Sequence, residues 1–116
     1  MEKISHFFSA ASRLMRQALV EQARKHAGQS GSGKRVYLED VTEPAALSQA
    51  VDLLTLDEAL RRLEKFDAQQ GHIVELRYFG GLSVEETAEA TGVSPRTVRR
   101  DWSMARVWLH REMRAS

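Results

Sequence analysis

The 116 residues predict an all-α protein: a four-helix C-terminal domain with a helix-turn-helix, plus a separate N-terminal amphipathic helix. Three observations carry that prediction. Apolar residues recur at three- and four-residue spacing near the N-terminus and again from Asp52 onward. Capping signatures and glycines mark where those segments start and stop. Between Gly81 and Trp102 two short helical patterns meet at Gly92, and the second opens on arginines.

The first element runs from residue 1 to about 27. Ile4, Phe7, Phe8, Ala11, Leu14, Met15, Ala18, Leu19 and Ala23 form a broad apolar stripe, with Arg13, Arg16, Arg24 and Lys25 largely off it. Such a stripe needs a partner: the C-terminal domain, a second copy, or the rest of a domain of which this is the last helix. Gly28-Gln29-Ser30-Gly31-Ser32-Gly33 then ends the helix and begins a linker over 28–51, flexible at first and then acidic. With Lys34 the glycines nearly spell a phosphate-binding loop. Arg35 replaces the Ser or Thr that would bind magnesium, and a helix, not a strand, precedes it, so that reading fails. Val36-Tyr37-Leu38 is a short apolar patch able to dock on a neighbour, followed by Glu39, Asp40 and Glu43.

Residues 52–116 form the four-helix domain. Thr55-Leu56-Asp57-Glu58 reads as a capping box opening a helix with Leu56, Ala59, Leu60, Leu63 and Phe66 inward. Asp67 and Gln70 open the next helix, which carries Ile73, Val74, Leu76 and Phe79 and stops at Gly80-Gly81. Ser83 with Glu86 caps the third, and Gly92 ends it in a left-handed conformation that side chains enter only at a cost. Ser94 caps the fourth, with Pro95 at its first position, where no amide hydrogen is needed. Val98, Trp102, Ala105 and Leu109 share its inner stripe. Arg96, Arg99, Arg100, Ser103 and Arg106 lie on the other side, where the leading ones can reach bases and phosphates of a major groove.

Composition narrows the function further. One domain, or one domain with an appendage, fits the length. The absence of cysteine excludes a disulfide framework and argues against a zinc finger. No apolar run has the length of a membrane span, and no secretory signal pattern is present, which fits a cytoplasmic protein. The net charge of +1 hides a segregation. Residues 1–35 carry seven Lys/Arg against two acids (+5), residues 36–93 four against twelve (−8), and residues 94–116 six against two (+4). A polyanion would bind through the basic ends.

Catalytic and metal chemistry finds no support. His6, His26, His72 and His110 lack metal-ligand spacing, and His72 with Glu75 reads as a surface contact. Glu85 and Glu86 suit a helix N-terminus, and Glu89 faces water. No catalytic residues, cofactor or metal site are expected.

With these residues in view, the chain resembles the extracytoplasmic-function (ECF) sigma factors of bacterial RNA polymerase, and an ECF-like subgroup in particular. The likeness lies in Phe7-Phe8-Ser9-Ala10-Ala11-Ser12-Arg13-Leu14-Met15-Arg16 and Glu21-Gln22-Ala23-Arg24. It continues in Val74-Glu75-Leu76-Arg77-Tyr78-Phe79-Gly80-Gly81-Leu82-Ser83 and in Val93-Ser94-Pro95-Arg96-Thr97-Val98-Arg99-Arg100-Asp101-Trp102. The resemblance implies that residues 52–116 are region 4, whose last helix enters the promoter's minus-35 element and which docks on the flap of the β subunit. It also implies that Ser94, Arg96, Thr97, Arg99, Arg100 and Ser103 meet bases and phosphates. Residues 1–27 look like the end of region 2; the rest of that region, with its main β′ clamp, has no counterpart, and the resemblance leaves open both a true start at Met1 and a truncated factor. Asp101 stands where many members have a basic residue, although the subgroup shares Asp-Trp; it would orient a neighbouring arginine rather than accept from cytosine. Thr87 and Thr91 replace larger aliphatic residues, predicting looser packing of the first helix of the motif.

The leading expectation is therefore a sigma-factor-like initiation protein that binds promoter DNA and RNA polymerase, with an anti-sigma protein as a further partner. Two alternatives come from the same residues. One is the helix-turn-helix effector domain of a two-component or quorum-type activator, which a two-fold symmetric operator would favour. The other is a sigma-like interaction module that does not read DNA.

Overall fold

The computed structural model describes residues 2–31 and 44–115, and their regular structure is helical throughout. Helix α1 spans Glu2–Gly31, α2 Pro44–Phe66 and α3 Ala68–Val74, which runs directly into a π-helical stretch, Glu75–Phe79. Helices α4 (Val84–Thr91) and α5 (Pro95–Ala115) follow.

Local chemistry sets most of these boundaries. Asp67 accepts a hydrogen bond from the Gln70 amide at 3.1 Å and starts α3. Ser83 Oγ accepts from the Glu86 amide at 3.0 Å, and the Glu86 carboxylate accepts from the Ser83 amide at 2.8 Å. Gly92, at φ +79°, ends α4 in the left-handed region. The core then joins the elements. Leu56, Ala59, Leu60 and Leu63 of α2 pack with Val74, Phe79, Ala105 and Leu109, while Ile73, Ala88 and Val98 form a second cluster under the helix-turn-helix. Half-buried Trp102 packs against both clusters, tying the motif to the rest of the domain. Thr87 is fully buried, and its hydroxyl donates to the Ser83 carbonyl at 2.7 Å.

Several expectations are corrected. Helix α1 continues through Gly28 to Gly31, because one helical glycine costs only about 1 kcal/mol and a long helix propagates past it. Helix α2 begins at Pro44, ahead of the expected start at Asp52. Thr55 is not a cap: the helix is already running there, and its hydroxyl turns back to the Val51 carbonyl at 2.9 Å. Phe66 is 72% exposed, not inward, and stacks on Trp108 with ring centroids 6.1 Å apart. The Val36-Tyr37-Leu38 patch and the Gly33-Lys34 end of the glycine stretch lie outside the described residues.

The largest correction concerns α1. It is not separate: it packs on α2, on the π-helical stretch and on α4, while α5 packs on α2, α3 and α4. Most of its apolar stripe is also not what it buries. Ile4, Phe7, Leu14, Met15 and Leu19 are exposed, and Ser12, Arg16, Val20 and Ala23 face the domain. Arg16 drives this orientation. Its Nε donates to Asp57 at 2.7 Å, and its Nη1 donates to Glu64 at 2.7 Å and to Glu75 at 2.9 Å. Glu75 is therefore buried under α1 and not the surface partner of His72, which instead meets Ser9 Oγ at 2.9 Å. Ser12 sits against Gly80, where a Cβ would collide with Ser12 Oγ and with the Leu76 carbonyl.

Candidate nucleic-acid interface

The leading turns of α5 assemble a basic surface because the residues behind them are anchored. Val98 and Ala105 are fully buried, and Leu109 nearly so, which fixes the helix about its own axis. Arg96, Arg99, Arg100 and Ser103, spaced by three, one and three, then share one arc of the helix, and all four are exposed. Ser94 is exposed at the cap, and Thr97 is half-buried at the edge of the arc. All six residues singled out from the sequence thus lie on one end of one helix.

Each of them has a different degree of freedom. Ser94 Oγ accepts from the Thr97 amide at 3.1 Å and lies 3.1 Å from the Thr97 hydroxyl, so both hydroxyls are held at the cap. Arg96 has no ion pair among the described residues. Arg99 reaches Glu85 of α4 at 3.4 Å, a long contact between two exposed side chains that water screens. Arg100 donates through Nε and Nη2 to one oxygen of Asp101, at 3.3 and 3.2 Å. Arg99 thus touches the acidic middle of the chain through one exposed contact, and Arg96 and Arg100 make no ion pair with it among the described residues. Asp101, by contrast, is only 4% exposed and cannot offer an edge to a base. Its second oxygen accepts from Gln69 Nε2 of α3 at 2.7 Å.

Two further arginines, Arg77 and Arg106, make a contact that the sequence reading did not assign to them. Arg77 lies 4.8 Å from the centre of the Trp102 ring and Arg106 5.8 Å, so the indole of the inner stripe is also in contact with cations. Arg77 Nε also donates to the Leu82 carbonyl at 3.2 Å, bracing the turn before α4. The only hint of Arg16's burial was indirect. Asp57 and Glu64, seven residues apart, fall in phase with the core leucines of α2, where an unpaired acid would be costly. Among the described residues no helix is long and apolar enough to cross a membrane, and no group of side chains could hold a metal ion.

No curated protein and no solved structure matches the chain. Residues 1–115 match the family model described as ECF sigma factor.

Proposed function

The chain belongs to the ECF sigma factor family, whose members act in transcription initiation with RNA polymerase on promoter DNA, and from that premise we propose that α5 reads the minus-35 element of its promoter. One observation carries the reading: Arg96, Arg99, Arg100 and Ser103 are exposed on a single arc while Val98 and Ala105 hold the opposite side in the core. Arginine forks on such an arc suit guanine edges, and the hydroxyls suit phosphates. Ser94 and Thr97, at the positive N-terminal end of the helix, would add phosphate contacts. The chain then works in the cytoplasm as the promoter-selecting subunit of polymerase, through the β flap, with an anti-sigma protein as its antagonist and no catalysis of its own.

The test is a shift assay with core polymerase on duplexes enriched from a randomised pool, run at several salt concentrations. Arg99→Ala with Arg100→Ala is expected to abolish selective binding and leave the helical fold intact by circular dichroism, with some loss of melting temperature because Arg100→Ala takes the cation from the buried Asp101 carboxylate. The slope of log K against log[salt] should also flatten by about 0.9 for each phosphate that the variant no longer neutralises. Unchanged affinity would instead assign the chain to polymerase binding without readout.

A further inference from the structure

The two adjacent arginines of the arc are held very differently. Arg99 meets an exposed carboxylate of α4 at the limit of hydrogen-bonding distance. Arg100 meets a buried one, and that carboxylate is itself anchored from another helix by Gln69. A guanidinium has two usable edges. Asp101 occupies the edge made by Nε and Nη2, which leaves the end edge of Nη1 and Nη2 outside that contact on a side chain 65% exposed. That end edge is a two-donor fork able to meet two acceptors in one plane, the pattern guanine presents in the major groove.

We propose that Gln69 is a specificity-determining positioning residue: by fixing Asp101, it presets the fork of Arg100 for one guanine of the recognised DNA. The proposal rests on the reading of α5 as the promoter-binding helix. Gln69 need not touch DNA. Its amide satisfies one oxygen of a carboxylate that is otherwise buried, so the other oxygen stays in place for Arg100. Without Gln69, Asp101 would turn toward water or toward another donor, and Arg100 would sample its rotamers freely. The rotamer entropy would then be lost on binding, when the fork must be ordered. Phosphate contacts, made by other side chains, would not change. The expected signature is weaker discrimination at one base pair with the overall grip on DNA intact.

Gln69→Met keeps the length of the side chain and removes the donor; Asp101→Asn keeps its shape and removes the charge. With the full chain and core polymerase, binding to every single-base variant of a duplex enriched by the wild-type protein would be measured at fixed salt. Gln69→Met should reduce discrimination about tenfold at the base pair whose preference Arg100→Ala erases, with other positions and the salt slope unchanged. Asp101→Asn should do the same, and adding Gln69→Met to Arg100→Ala should change nothing more. A uniform loss across all duplexes would make Gln69 merely structural and overturn the proposal, as would a Gln69→Met protein with wild-type discrimination. Wild-type protein that shows no base preference at all would overturn both this proposal and the promoter reading beneath it.

Discussion

Arg16 shows what a single side chain contributes to this molecule. Burial alone would lower the pKa of its guanidinium, but hydrogen bonds to Glu64, Asp57 and Glu75 more than offset that effect, and the net shift is upward. A raised pKa on a cation means stabilisation that is complete below the unfolded-state value and lost only above it, so the Arg16 guanidinium stays charged in the folded protein. Asp57 keeps a second partner in Arg61 at 3.1 Å, whereas Glu75 would be left only with Arg13 at 3.9 Å. Arg16→Ala should therefore cost about 3–5 kcal/mol, the penalty of abandoning a buried charge, read from the urea midpoint. Arg16→Lys should fall between, because the single nitrogen of an ammonium cannot stand at both places from which Nε meets Asp57 and Nη1 meets Glu64 and Glu75. A loss below about 1 kcal/mol for the alanine variant would mean that water already solvates the cluster.

At the scale of the element, α1 and α4 follow opposite rules. Helix α4 is specified locally, by the Ser83–Glu86 box before it and Gly92 after it. A Cβ on Gly92 would meet nothing within 4 Å, so Gly92→Ala should cost only the left-handed backbone penalty, about 1–2 kcal/mol, in a thermal melt. Helix α1 is specified by what it lies on. Leu14 is exposed despite belonging to the apolar stripe, and Val20 is buried. Leu14→Glu should stay within about 0.5 kcal/mol of the parent, whereas Val20→Glu should unseat the helix. Equal damage from both would show that the stripe, not the arginine face, holds α1 in place.

At the scale of the whole molecule, the basic helices α1 and α5 both pack on an acidic set of helices: the described residues 44–93 carry nine acids against four Lys/Arg. Attraction to that set orients α1, and close approach at Gly80 sets its height. Gly80→Ala would drive a methyl into Ser12 and into the Leu76 carbonyl. Hydrogen exchange should then rise along α1 while α5, which packs on α2, α3 and α4, keeps its protection. Adding Ser12→Gly should restore only part of the protection, because the backbone carbonyl of Leu76 remains in the way. Loss of protection in α5 as well would mean that α1 and the helix-turn-helix open as one unit.

Much of this could be read from residue order alone: the helix-turn-helix, its caps at Ser83, Gly92 and Ser94, the inner stripe from Val98 to Leu109, and the outward arc of arginines. Those features are legible because caps, left-handed glycines and helical periodicity act over three or four neighbouring residues. The seat of α1, the buried carboxylates of Asp57, Glu75 and Asp101, and the bond from Gln69 to Asp101 were settled only when distant helices met. A charged side chain looks like a solvent-facing one in any pattern of hydrophobicity. Its burial depends on partners 32 to 59 residues away that no local rule brings together.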